Sequence, residues 1–206
     1  MNILNRQNNL FILTFVLIVC QEFVFATMIE KMSLNEIVNQ SDLIIEGTVS
    51  TIESHWNEER TMIYTEVGIT IQRIEKGSIK DSTITIRFIG GRVGNKAVIA
   101  LGTPVFNKHE QVLLMLKEIS AQSLNFFLGE QTTARLNDAY SIVGWHQGYF
   151  NIFTDATNGQ KMLKQYKATK LDLVGNISEK FNLQNLPYSK LINIIDRKKI
   201  RTKTKN

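Results

Sequence analysis

The chain has 206 residues, 43% of them hydrophobic, only two prolines, and a formal charge of +5. That length fits one sizeable core with appendages, and that composition excludes disorder throughout. The surplus charge is confined to Arg197, Lys198, Lys199, Arg201, Lys203 and Lys205. Removing those six from +5 leaves a body of −1, so the pI of 9.3 describes a tail rather than a basic nucleic-acid-binding face. Such a terminus reads as solvated, with docking to an anionic lipid, a nucleic acid or an acidic partner as the alternative.

Residues 1–26 read as a secretory signal peptide. Arg6 gives a positive start, Leu10 to Cys20 form an apolar run, and Val24-Phe25-Ala26 offers a cleavage point. The run is shorter than the ~20 residues a membrane span needs, and an uncleaved anchor is the alternative. Cys20 is the only cysteine. A chain cut after Ala26 would hold no disulfide, thiolate metal site or thiol nucleophile. The expected organisation is therefore a signal peptide (1–26), a β-barrel domain with an N-terminal helix (27–166), and a C-terminal linker, helix and basic tail (167–206).

Ser33-Leu-Asn-Glu36 is a capping box, and Leu34, Ile37 and Val38 form one apolar stripe, which predicts a two-turn helix ending near Gln40. Residues 42–52 and 61–71 then read as two long strands. In the second, Ile63, Thr65, Val67, Ile69 and Ile71 share one face. In the first, Leu43, Ile45, Gly47 and Val49 share a face but Ile52 has the opposite parity, which predicts a bend or bulge. The polar Ser54–Glu59 reads as the hairpin loop. Ile84, Ile86 and Phe88 alternate with polar residues in a third strand, followed by a Gly90–Gly94 loop and a less regular stretch, Lys96 to Phe106. The unbroken apolar run Val112–Leu116 reads as a strand covered on both sides. A last hairpin is expected from Ile142 to Phe153 and from Lys161 to Tyr166, with Asn158-Gly159 supplying positive backbone angles at the turn. Pro187 opens a C-terminal helix with the stripe Tyr188, Leu191, Ile192 and Ile195, reaching about Arg197. Asn176-Ile-Ser178 matches a glycosylation acceptor. Together these elements predict a mainly β protein: a small OB-like barrel of five to seven strands with short flanking helices at both ends.

The chemistry-bearing motifs are sparse. His55, His109 and His146 have no metal-ligand spacing, so neither metal nor other cofactor is expected. Gly144-Trp-His-Gln-Gly148 has the glycines of a nucleophile elbow but histidine where serine belongs, and it reads better as a curved strand. Gly90 to Lys96 imitates a phosphate loop without the helix such a loop needs. The aromatic residues are the better candidates. Trp145 and Tyr149 share one parity with His146 opposite, and Trp56 and Tyr64 come from the first hairpin; facing outward they would suit a polypeptide or sugar, and facing inward they would pack the core or the barrel end. Glu46, Glu66 and Asp155 are the carboxylates that a fold could assemble into a hydrolase of peptides or glycans.

The pattern Ser41-Asp-Leu-Ile-Ile-Glu-Gly-Thr-Val49, Ser54-His-Trp56, Thr65-Glu-Val67, Ile74-Glu-Lys-Gly77, Gly90-Gly91, Gly102 to Leu116, Val143-Gly144 and Gln147-Gly148 resembles a family of exported, largely uncharacterised bacterial β-barrel proteins. Similar regions in that family occur alone or near matrixin-like metalloprotease domains, whose zinc motif this chain lacks. The strand order is also remotely similar to the netrin-like OB barrels of metalloprotease inhibitors, without their cysteine framework. The resemblance implies an exported protein, periplasmic or secreted. The expectation is thus a non-catalytic binding or accessory module recognising a protein partner, with no nucleic acid, and with membrane contact only through an uncleaved signal or the basic tail. The hydrolase is the alternative.

Overall fold

The computed structural model describes residues 29–119, 140–168, 173–174 and 183–203 of the chain. The expected signal peptide and the glycosylation acceptor at Asn176 lie outside the described residues. No helix among the described residues is long and apolar enough to cross a membrane.

The described chain is mainly β, built on a closed five-stranded barrel. A short β1 (Ile29–Glu30) leads to α1 (Leu34–Gln40), then to two 14-residue strands, β2 (Leu43–Trp56) and β3 (Ile63–Lys76), and to β4 (Thr83–Ile89). A small hairpin, β5 (Gly91–Val93) and β6 (Lys96–Val98), stands apart as its own two-stranded sheet. The barrel resumes with β7 (Gln111–Glu118) and β8 (Tyr140–Ile142), and β9 (Tyr149–Thr154) and β10 (Lys161–Gln165) extend the sheet beyond it. Last come β11 (Leu173–Val174), parallel to β1, then β12 (Leu186–Pro187) and α2 (Tyr188–Lys203).

The ring runs β7-β2-β3-β4-β8 and returns to β7. Every ring pair is antiparallel except β4 with β8, which is parallel and closes through Ile86 opposite Tyr140. Counting only ring strands in chain order, the sequence around the barrel is first, second, third, fifth, fourth. This is the OB-like arrangement that the strand pattern predicts.

Sharp coiling of β2 makes the closure feasible. Its register against β3 slips at Ile44/Ile45, Glu46/Gly47 and Val49/Thr51, which is the bulging that Gly47 and the parity change of Ile52 predict. A Cβ on Gly47 would lie 2.6 Å from the Thr70 carbonyl oxygen, so no other residue lets β3 come this close.

Side-chain alternation sorts the apolar residues into two layers. Leu43, Ile45, Val49, Val67, Ile69, Ile84, Ile86, Val112, Leu114 and Leu116 fill the barrel. Ile44, Leu113, Met115, Phe150 and Leu163 point the other way and pack under α1 and α2, against Leu34, Ile37, Val38, Leu191 and Ile195. The run Val112–Leu116 is unbroken because β7 is covered on both faces; each such buried side chain contributes about 1.5–3 kcal/mol.

Helix α1 begins as the capping box demands. Ser33 Oγ accepts from the Glu36 N–H (3.3 Å) and Glu36 Oε2 accepts from the Ser33 N–H (2.7 Å). Its C-terminus has no basic residue of its own. Lys76, from the end of β3, reaches across and donates to the Val38 carbonyl (2.8 Å) and the Ser41 carbonyl (2.5 Å).

Four local expectations need correction. The Ser54–Glu59 loop lies three residues later than expected: β2 continues through His55 and Trp56, whose rings suit a strand, and the turn is Asn57–Met62, with Asn57 Oδ1 accepting from the Thr61 and Met62 N–H groups. The Gly90–Gly94 loop contains β5. At the β9–β10 turn only Gly159 takes a positive φ, while Asn158 instead accepts from the Gln160 N–H. The strand expected from Ile142 to Phe153 is interrupted, and that interruption builds the candidate site.

Candidate functional site

Along one edge of β7, Ile142 lies opposite Leu116 and Tyr149 lies opposite Leu114. Residues 143–148 therefore oppose Met115 alone. The Val143 N–H donates to the Met115 carbonyl (3.0 Å) and the Met115 N–H donates to the Gly148 carbonyl (2.8 Å), so the strand leaves the ladder and rejoins it one rung later. The excursion is pinned from outside by Gln147, whose Oε1 accepts from the Met32 N–H and whose Nε2 donates to the Glu30 carbonyl, both at 2.8 Å.

Trp145 is the apex. It takes φ +69°, a left-handed conformation rare for a bulky side chain, and is 54% exposed. Its neighbour His146 turns inward, is 3% exposed, and bonds the backbone of Gly102. The Nδ1 of His146 is buried without a hydrogen-bond partner among the described residues. Burial pushes this imidazole below its ordinary pKa, and the Gly102 bond offsets that only in part, so the ring is neutral at pH 7.

The His146 bond ties the Trp145 apex to the 99–106 loop. That loop carries three more exposed apolar residues, Ile99 (89%), Leu101 (62%) and Val105 (64%). The Val105 N–H donates to the Tyr166 hydroxyl (3.2 Å), and the Tyr166 ring meets His146 edge-on at 6.0 Å. An apolar end of the molecule thus stands on a firm aromatic base.

Tyr149 belongs to that base. It is fully buried, stacked between Phe106 (centroids 4.6 Å) and Tyr166 (5.1 Å), with Phe88 beyond Phe106. Its hydroxyl donates to Glu110 Oε2 (2.9 Å), and Asn151 donates to the other oxygen of Glu110. Burial and the Glu110 carboxylate drive the phenol far above its usual pKa. Of the two orientations open to this pair, Trp145 takes the outward one and Tyr149 the inward one. Parity counts only along an uninterrupted strand, and the excursion sends Trp145 to solvent and Tyr149 into the barrel end.

Trp56 and Tyr64 do not join this surface or each other. Trp56 lies opposite Ile63, on the core-facing side, and is half-buried. Tyr64 lies opposite His55 and Ile89 on the other side, with the Arg87 guanidinium 4.9 Å above its ring. The shared patch expected from these aromatics thus reduces to Trp145, with His146 beneath it.

The three carboxylates are also separated. Glu66 pairs with Arg87 (Nε to Oε1 2.8 Å), and Asp155 Oδ1 accepts from the Thr157 N–H (2.8 Å). Glu46 is buried beneath α2, where Lys161 donates to Oε1 and the Tyr188 hydroxyl donates to Oε2 (2.8 Å). The Tyr188 hydroxyl also stands 2.6 Å from Glu75 Oε1, a carboxylate sequence reasoning passed over. Two acids do converge here, but Tyr188 fills the space between them, and Lys161 and the more distant Arg73 (3.8 Å from Glu75) offset their charge. Burial would raise the Glu46 pKa, yet the bonds from Lys161 and Tyr188 outweigh it and hold the carboxylate below its ordinary range. Among the described residues no group of three or more metal-ligating side chains is placed to hold an ion.

Ile99, Leu101, Val105, Glu110, Gln147 and Tyr166 were also missed. One signal could have found the apolar ones. The stretch 97–106 is too rich in aliphatic residues for a solvated loop, yet it lacks strand periodicity, and only Phe106 of its large side chains is buried.

No protein-family model and no curated protein matches this chain.

Proposed function

We propose that the chain is an exported, non-catalytic binding or accessory module, periplasmic or secreted, that works by docking its Trp145 end on a partner in the cell envelope or outside the cell. The observation that carries this reading is Trp145 itself, an exposed indole held at φ +69° on a pinned excursion that His146 ties to a loop carrying three exposed aliphatic side chains. Strain at an exposed aromatic is kept where something other than folding uses it. The sequence reading makes that partner a protein, and the exported family it resembles fits a module of this kind. The hydrolase alternative is less well supported, because Glu46 and Glu66 are engaged by basic side chains, Asp155 holds a turn, and Tyr188 occupies the space between Glu46 and Glu75.

The test is retention of partners from the exported and envelope fractions by the wild-type chain and by folded Trp145→Ala. Loss of what the wild type retains supports the reading. Full retention by a folded Trp145→Ala variant overturns it.

A further inference from the structure

The chemistry of the Trp145 end bears on whether it meets a protein, as the sequence reading has it, or a lipid surface. Its apolar members protrude: Ile99 is almost wholly in solvent, and Leu101, Val105 and Trp145 are each more than half exposed. Side chains that stand out singly from loops match a deformable apolar medium better than the close-packed centre of a protein interface, where anchors fill preformed pockets. Trp145 is the residue type that settles at the headgroup level, with its ring in the apolar layer and its N–H in water.

The charges on the segment that carries these aliphatic residues point the same way. From Arg92 to His109 the chain carries Arg92, Lys96 and Lys108, all exposed, and no aspartate or glutamate. Residues 143–150 carry no charged side chain besides neutral His146. This local surplus of +3 contrasts with a body that sums to −1 without the six C-terminal basic residues. Aliphatic tips on a segment whose exposed charges are Arg92, Lys96 and Lys108, with the next acid, Glu110, turned onto Tyr149 and Asn151, complement an anionic surface with an apolar layer beneath it.

We infer that the Trp145 end, with Ile99, Leu101 and Val105 as shallow inserts and Arg92, Lys96 and Lys108 as headgroup contacts, docks the protein on an anionic lipid bilayer. The inference rests on this end being the working surface. It is a route to a membrane distinct from the signal segment and the C-terminal tail, since the barrel itself would sit on the bilayer.

The experiment uses the full chain carrying Trp56→Phe, which leaves Trp145 as its only tryptophan. Vesicles of phosphatidylglycerol and phosphatidylcholine with brominated acyl chains are added, and Trp145 emission is read. A blue shift with bromine quenching is expected, weaker on pure phosphatidylcholine and weaker as salt rises. Ile99→Asp is expected to lower vesicle partitioning about tenfold or more, without unfolding, because Ile99 packs on almost nothing. Emission that stays unquenched overturns the inference, even where the signal segment or tail carries the chain onto vesicles. Quenching unchanged by Ile99→Asp also overturns it. Unquenched emission with a protein, or a second copy of the chain, retained by wild type and lost in Ile99→Asp would remove the lipid while leaving the binding module standing.

Discussion

Trp145 and His146 are adjacent in sequence and opposite in environment: one indole projects into solvent at φ +69°, and the next ring is buried against Gly102. The first displays a surface and the second holds it to the loop below.

Because Trp145 occupies a conformation that asparagine tolerates much better, Trp145→Asn is expected to stabilise the fold by about 1 kcal/mol. Urea denaturation measures the change, and partner docking should fall in the same variant. A loss of stability would mean that the indole holds the excursion in place rather than being carried by it.

Tyr149 should behave in the opposite way. Tyr149→Phe keeps the ring stack, removes the Glu110 bond, and is expected to cost about 1–3 kcal/mol; Tyr149→Ala empties the barrel end and should cost about 3–5 kcal/mol. Docking should be kept by whatever fraction of Tyr149→Phe remains folded, read by circular dichroism and partner retention on the same sample.

His146 gives the apolar end a pH dependence. Its folded pKa lies below the ordinary 6.5, so the unfolded chain takes up the proton first as pH falls. The ring's contribution to stability is therefore complete above 6.5 and is lost as the pH falls through 6.5 towards the lower folded value. Urea midpoints measured from pH 8 to pH 5 should show a decline in wild type that His146→Gln flattens.

Glu46 sets a second, more acid window. Its folded pKa is held below the ordinary 4.5, so its contribution is present above 4.5 and is lost as pH falls through the folded value. Tyr188→Phe removes one of the two bonds that hold it there. The variant should be less stable by about 1–3 kcal/mol at pH 7, and with its Glu46 pKa nearer 4.5 its acid loss should be smaller and complete at a higher pH than in wild type. A Tyr188→Phe protein that instead gained hydrolysis of a peptide or glycan would revive the enzyme reading.

The barrel was legible because its signals are local. Ser33 and Glu36 announce α1 within four residues, and Ile63 to Ile71 alternate without a break. Gly47 marks the coil of β2 because only a residue without Cβ admits the Thr70 carbonyl. The site was half legible for the complementary reason. Trp145 stood out as a large aromatic between glycines, but its separation from Tyr149 depends on six residues opposing Met115, a register fact set by β7 thirty positions earlier. The Tyr188–Glu46 bond joins positions 142 apart in sequence, and no periodicity connects them. The Ile99–Val105 surface failed to register because exposed aliphatics in irregular chain look like poor strand.

Lys76 and α1 bear on the order in which the molecule assembles. A seven-residue helix is too short to persist alone in water, and the cation that ends this one arrives from the far end of β3, 35 residues beyond Ser41. Ser41 caps the Ile37 carbonyl locally, but the Lys76 bonds to Val38 and Ser41 exist only after β2 and β3 have paired along most of their length. The last turn of the helix is thus completed by hairpin closure, although the helix comes first in the chain.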